Sequence, residues 1–312
     1  MSAPDGRAGI DAGLVRRLVA AQFPQWAELP VRPVELDGWD NRTYRLGEDL
    51  TVRLPTDAAY VPAVTKEDTW LPRLAPHLPL PVPEPLALGV PGEGYPFPWS
   101  VRRWLPGASA TPGRLGDLDR FATDLAGFLR ALWSIDPAGG PPAGDHSFHR
   151  GADPAYYDDE TRHCLEITEG SVSGIDTGID TGIDTGRATR VWEAALEARF
   201  DGEPRWFHGD VSVGNLLVQD GRLRSVIDFG TSGVGDPACD LVIAWTFLDG
   251  GARTTFRHAT GLDAGTWARA RGWALWKSLL GLTAADASPE QRVREVEIIE
   301  AVVADHARHG AA

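Results

Sequence analysis

Residues 206–241 read WFHGDVSVGNLLVQDGRLRSVIDFGTSGVGDPACDL, and this stretch decides how the rest of the chain is read. Two apolar, strand-like pieces, NLLV (215–218) and SVIDF (225–229), flank Asp220-Gly221, a dipeptide suited to a tight hairpin turn. Polar residues sit where the pieces end: Asp210 precedes the first, Asn215 begins it, and Asp228 closes the second just before Phe229-Gly230. Pairing the strands brings Asn215 and Asp228 to one edge, where an amide oxygen and a carboxylate suit Mg2+. That hard ion takes oxygen ligands and keeps waters and substrate phosphates for its remaining positions. A separate carboxylate, Asp210, is placed to face an incoming hydroxyl, taking its proton or aligning it for attack on a γ-phosphorus.

Upstream of this stretch the texture changes twice. Asp11 caps a helix with apolar Leu14, Val15, Leu18 and Val19 at helical spacing. From Val31 to Pro55 short β-like runs (VRPVEL, TYRLG, LTVRL) alternate with turns at Asp37-Gly38 and Gly47-Glu48-Asp49, the signature of antiparallel strands. A helix over about 63–74 follows, then LPLPVPEP, which is extended and belongs on a surface or sheet edge. PWSVRRWL is a further strand ending at Pro106-Gly107, where the chain changes lobes. Beyond it Leu118, Phe121, Leu125, Phe128, Leu129 and Leu132 line one helical face, and helical periodicity returns at about 187–200, 238–247, 266–282 and 292–308. Three GIDT tetrapeptides start at Gly174, Gly178 and Gly182. Regular glycine with β-branched Ile and Thr disfavours a helix, and the spacing is not that of a calcium loop, so a poorly ordered insertion is expected.

Composition bounds the function. At 312 residues and 43% hydrophobic the chain can bury a sizeable core, and it lacks both a membrane-length apolar run and a signal-like start, so a cytoplasmic protein is expected. Cys164 and Cys239 have neither disulfide-framework nor zinc spacing. A net charge of −14 argues against nucleic acid and favours a cationic partner. Lys66 and Lys277 are the only lysines, so 28 of the 30 basic residues are arginine.

His208-Gly209-Asp210, Asn215 and Ile227-Asp228-Phe229-Gly230 resemble the catalytic loop and metal-binding triplet of the protein-kinase superfamily. More narrowly, HGDxxxGNLLV followed by IDFGxxGxGDPACDL is similar to the aminoglycoside phosphotransferase family, which includes macrolide phosphotransferases and other antibiotic kinases. The resemblance implies an α+β, two-lobed, protein-kinase-like fold. Residues 1–106 would form a small, mostly antiparallel-sheet N-lobe with a leading helix. Residues 107–312 would form a larger, mainly helical C-lobe with a low-complexity insertion at 170–186. It assigns Asp210 to catalysis and Asn215 and Asp228 to Mg2+.

On the nucleotide side, Gly38-Trp39-Asp40-Asn41-Arg42-Thr43-Tyr44 is similar to the loop lying over the phosphates, with Asp40 and Asn41 as its polar contacts. VRLP (52–55) matches the strand that normally carries a phosphate-binding lysine, and here presents Arg53, expected to pair with Glu67. Lys66, the alternative cation, adjoins Glu67 where a lysine is ordinarily solvated. Arg102 to Leu105 resembles the hinge, implicating Arg103, Trp104 and Leu105 in base recognition, and Leu217 and Ile227 are implied to contact the nucleotide. His208 is expected to support the catalytic loop, and Asp236 and Asp240 to cap and brace.

The function implied is transfer of the γ-phosphate of ATP or GTP, with Mg2+, to a hydroxyl of an antibiotic or similar natural product. Two alternatives stay open: a metabolic kinase of a small alcohol or amino alcohol, and a regulatory pseudokinase suggested by the missing lysine. The acids of 145–160 and the tryptophans Trp267, Trp273 and Trp276 are candidates for an acceptor cleft or for solvated surface and core.

Overall fold

The computed structural model describes residues 9–35, 37–38, 40–169 and 182–310. Leu36, Trp39 of the phosphate-side loop and the first two GIDT copies (174–181) lie outside these. The chain opens with α1 (Ala12–Gln22), whose first turn is closed by the Asp11 carboxylate accepting the Leu14 N–H at 2.7 Å. Its apolar face (Leu14, Val15, Leu18, Val19) is buried against a five-stranded antiparallel sheet. That sheet consists of β1 (Val31–Pro33), β2 (Asn41–Leu46), β3 (Leu50–Pro55), β4 (Pro85–Gly89) and β5 (Trp99–Arg103), in the order β1-β2-β3-β5-β4. The proline-rich stretch thus feeds an edge strand beginning at Pro85, where a missing N–H costs no ladder bond. Between β3 and β4 runs α2 (Val61–Leu74). Its Leu71 and Leu74 belong to the large helical core, not to the core of the sheet.

After a short β6 (Ala108–Ser109), the chain is mainly helical. Asp117 caps α3 (Leu118–Trp133), and Phe121, Leu125, Phe128, Leu129 and Leu132 are buried on one face. Each such side chain contributes about 2 kcal/mol of burial. There follow α4 (Asp158–Thr168), α5 (Thr185–Glu197), β7 (Arg205–Phe207), β8 (Leu216–Gln219), β9 (Arg222–Val226), β10 (Gly233–Gly235), α6 (Ile243–Thr246), α7 (Gly250–Thr260), α8 (Ala264–Thr283) and α9 (Pro289–His309). The helix expected over 238–247 is broken: Pro237–Leu241 is a tight 3-10 turn and only α6 continues it. The expected insertion ends early as well. The third GIDT copy leads into α5, with Asp184 capping it by accepting the Arg187 N–H at 2.9 Å. α4 and α7 were not foreseen, because their apolar positions are sparse.

The hairpin at the centre forms as expected. β8 and β9 pair antiparallel with Gln219 opposite Arg222, and Asp220 (φ 52°) and Gly221 (φ 74°) both take the left-handed conformation of a two-residue type I′ turn. A Cβ on Gly221 would also lie 3.2 Å from the Gly116 nitrogen. Gly221→Ala is therefore expected to cost about 1–2 kcal/mol, read from urea denaturation, because an L side chain strains this backbone.

Candidate active site

Register brings the chemistry to one edge. Leu216 faces Val226, so Asn215 lies across from Ile227, and the Ile227 N–H donates to the Asn215 carbonyl at 2.9 Å. Asp228 comes next, itself left-handed at φ 66°. The Asn215 side-chain amide donates to the Asp210 carbonyl (3.0 Å) and to Asp210 Oδ2 (2.9 Å). With its nitrogen fixed in this way, its Oδ1 is left for another partner. That oxygen and the Asp228 carboxylate form a hard-oxygen pair that fits Mg2+.

The catalytic loop is held from behind. His208 is fully buried: its Nδ1 accepts the Asp210 N–H (3.2 Å) and its Nε2–H donates to the Ile227 carbonyl (3.0 Å). Both ring nitrogens are engaged in backbone bonds, so the ring supports the loop. Asp240 accepts the backbone N–H of His208 (3.1 Å) and of Gly209 (2.8 Å), together with Trp133 Nε1 (3.0 Å). Gly209 has φ 84°, and a Cβ there would meet the Thr231 carbonyl at 2.9 Å. Asp236 caps the 3-10 turn through the Ala238 N–H (3.1 Å) and is gripped in two-pronged fashion by Arg269.

Across the cleft, Glu67 of α2 is the joint. Arg102 Nη2 donates to Oε2 at 2.8 Å, and Arg53 Nη1 lies 3.5 Å from Oε1, which also accepts the Phe229 N–H at 3.1 Å. Burial alone would raise this carboxyl, but Arg102 and Arg53 hold it below its ordinary value. The expected Arg53–Glu67 pair is thus the weaker of two: Arg102, read from sequence as part of the hinge, points inward from β5 and is the closer partner. Arg53 also reaches Asp228, with Nη2 3.0 Å from Oδ1. Burial works against the charge on Asp228, yet Arg53 keeps this carboxyl below its usual range.

Lys66 is not solvated. It is 9% exposed and donates to His146 Nδ1 (2.8 Å) and the His146 carbonyl (3.1 Å), and burial lowers it to about 8. It reaches the loop between α3 and α4.

The phosphate-side loop joins the site through Asp40, whose carbonyl accepts the Thr56 N–H at 2.9 Å. Its carboxyl is raised to about 6, first by burial and then by Asp228, with Asp210 adding to the effect and Arg53 and Arg150 opposing it. Asn41 is buried at the start of β2. In the expected hinge, the Arg103 side chain turns outward to Glu84. The Arg103 N–H donates to the Glu84 carbonyl (3.0 Å) and the Trp104 N–H to that of Asp49 (2.7 Å). The N–H groups of Arg103 and Trp104 are therefore engaged within the protein. The Trp104 ring instead carries the Arg45 guanidinium 4.0 Å from its centroid. Leu217 lies under Gly107, where an added Cβ would come within 3.1 Å of its own, and Ile227 is half-buried beside Asp228.

A family model described as the phosphotransferase enzyme family matches residues 31–273. The chain belongs to that family. An aminoglycoside 3′-phosphotransferase of Escherichia coli is 36% identical over 63 residues, 20% of this chain and 23% of that protein, so the chain matches less than a quarter of this curated relative. Among solved structures, the GDP complex of wild-type aminoglycoside 2′-phosphotransferase-IIIa superposes with a TM-score of 0.69 at 19% identity, covering 95% of this chain and 100% of that one. Macrolide 2′-phosphotransferase MphH from Brachybacterium faecium gives 0.56 at 20% identity, covering 93% and 97%. These likenesses establish the protein-kinase-like fold for this phosphotransferase family member. Among the described residues no helix is long and apolar enough to cross a membrane.

Lys277 and Arg150 were not singled out from sequence as site residues, and Arg102 was read there only as part of the hinge. Lys277 Nζ of α8 lies 3.2 Å from Asp210 Oδ1, and its signal was that it is one of two lysines in a chain whose other 28 basic residues are arginine. Burial would raise Asp210, yet Lys277, His208 and Arg150 bring it below its ordinary value. Of the candidate cleft tryptophans, Trp267 is core, packed edge-on to Trp245 and Phe256. Trp276 stacks on Tyr157 at 4.2 Å, and Arg150 lies 5.6 Å from its ring.

Two outcomes are expected. Arg102→Met leaves Glu67 with only the longer Arg53 contact and the Phe229 N–H and should cost about 3 kcal/mol by urea denaturation, part of which Glu67→Gln in the same chain restores. Asp40→Asn should stabilise the nucleotide-free protein. The gain is small near the ordinary value of 3.8, grows as pH rises toward about 6 and is level above it, because a raised carboxyl loses native stability through that window. Urea midpoints from pH 4.5 to 7.5 check the sign.

Proposed function

We propose that this protein is a small-molecule kinase transferring the γ-phosphoryl group of a nucleoside triphosphate to a hydroxyl of an antibiotic or similar natural product. The observation that carries this reading is the convergence of Asp210, Asn215 and Asp228, with Arg53 on Asp228 at 3.0 Å. Asn215 and Asp228 would hold Mg2+, which neutralises phosphate charge. Arg53, permanently charged and braced by Glu67, contacts phosphate where relatives use lysine. Asp210 accepts the acceptor hydroxyl's hydrogen bond. The new O–P bond forms as the bond from the γ-phosphorus to the β-γ bridging oxygen breaks, and the hydroxyl proton passes to the carboxylate. Because the transition state is loose, alignment matters more than basicity, and a carboxylate held below its ordinary value suffices.

The acceptor is read from what surrounds Asp210. The acids of 145–160 are largely engaged locally: Asp145 with His149 (2.9 Å), Asp153 as a cap, Asp158 with Arg162 (2.8 Å) and Glu160 with Trp276 Nε1 (2.8 Å). The groups beside Asp210 are Lys277 and Arg150, backed by the Trp276–Tyr157 stack. Net charge of −14 attracts a cation at long range, and at the reacting centre the cations Lys277, Arg150 and Arg53 stand beside the carboxylates of Asp210, Asp228 and Asp40. The Trp276–Tyr157 stack favours an acceptor with an apolar face. Small amino alcohols and pure nucleotide binding are the competing readings, the second opposed by the complete carboxylate and amide set.

Asp210→Asn should lower phosphorylation at least 100-fold, scored by mass spectrometry against a panel of macrolides, aminoglycosides and small alcohols with ATP or GTP. Near-normal turnover would overturn the role given to Asp210. Asp228→Asn should abolish the magnesium dependence of nucleotide binding while leaving the thermal transition in place, and an unchanged magnesium titration would contradict the metal assignment.

A further inference from the structure

Asp210 is held from two sides. Asn215 donates to Oδ2 at 2.9 Å, and Lys277 Nζ lies 3.2 Å from Oδ1. The two donors come from different parts of the chain, the catalytic loop and α8, so together they fix the rotation of the carboxylate plane. A carboxylate accepts about four hydrogen bonds. One bond on each oxygen leaves a lone pair on Oδ1 for an acceptor hydroxyl.

The setting of Lys277 is built from neighbours on several elements. Trp276, one residue before it, is clamped by its stack on Tyr157 at 4.2 Å and by donation to Glu160 at 2.8 Å. This fixes the rotation of α8 and directs Lys277 toward the catalytic loop. Glu295 of α9 and Asp210 supply the negative charges it faces. Its side chain is 43% exposed, so as a structural ion pair it contributes little. A compact, single-point ammonium suits one oxygen, whereas the wider arginine fork would compete with Asn215 for the second. In a chain with two lysines among 30 basic residues, that distinction gives the lysine a chemical reason.

We propose that Lys277 is a positioning residue for phosphoryl transfer, orienting the Asp210 carboxylate so that Oδ1 meets the acceptor oxygen in line with the γ-phosphorus. The inference rests on the kinase reading above. In the test water is the acceptor: its oxygen bonds to the γ-phosphorus, the bond to the bridging oxygen breaks, and nucleoside diphosphate and inorganic phosphate leave.

The test uses the full chain with Mg-ATP or Mg-GTP and no organic acceptor. Lys277→Met should lower kcat for hydrolysis 10- to 100-fold, as loss of alignment does, with nucleotide KM within twofold and the urea midpoint little changed. Its effect should vanish in the Asp210→Asn background, because the lysine acts through that carboxylate. Lys277→Cys alkylated with 2-bromoethylamine rebuilds an ammonium at nearly the same reach. The native Cys164 and Cys239 are buried, so the reagent is selective, and kcat should return to within a few-fold of wild type. A Lys277→Met rate within twofold of wild type, a loss that appears in KM, a full additional loss on Asp210→Asn, or no recovery on alkylation each overturns the proposal. Wild type that consumes no nucleotide with water or with any acceptor of the panel would instead overturn the kinase reading, and this inference with it.

Discussion

A single buried carboxylate, that of Glu67, ties four parts of the molecule together. It receives Arg102 from β5, Arg53 from β3 and the Phe229 N–H from the segment after Asp228, while its own backbone belongs to α2. An unpaired charge at 3% exposure would be prohibitively costly, so the group is stable only when both arginines are present. The same two guanidiniums then have a fixed direction, and Arg53 meets Asp228 with its remaining nitrogen. The placement of Arg53 beside Asp228 is therefore set by the need to neutralise one glutamate.

On the opposite side the governing constraint is backbone satisfaction. Asp240 and His208 are both buried, and between them they occupy the N–H groups of residues 208–210. Gly209 permits the close approach to Thr231 that this demands. The loop bearing Asp210 is thus immobilised by bonds that involve none of its reacting atoms. Asn215 and Lys277 act on those atoms from the front.

Much of this was legible in the sequence, for identifiable reasons. The β8–β9 hairpin announces itself because Asp-Gly is one of few dipeptides able to hold two positive φ values, and once it forms, Asn215 and Asp228 share an edge by register alone. α3 was legible from strict amphipathic spacing. Contacts between residues distant in sequence were not. Arg102 lies on a strand where alternation alone leaves its inward aim ambiguous beside Arg103, and its partner is 35 residues away. Lys66 looked like a solvated helix residue until His146, 80 residues on, buried it. Lys277 sits in a helix that is apolar nearly all round, so no periodic signal separates its face.

Two neighbours on α2, Lys66 and Glu67, reach into the helical half of the molecule, one to His146 and the other to Phe229, and Leu71 and Leu74 are buried in that half's core. This helix lies between β3 and β4 in the chain, yet several of its buried contacts are with the other half. The carboxylate that holds the guanidiniums of β3 and β5 is therefore carried by a helix anchored in the other half, so the two halves are coupled through Glu67 as well as through the 103–107 crossover.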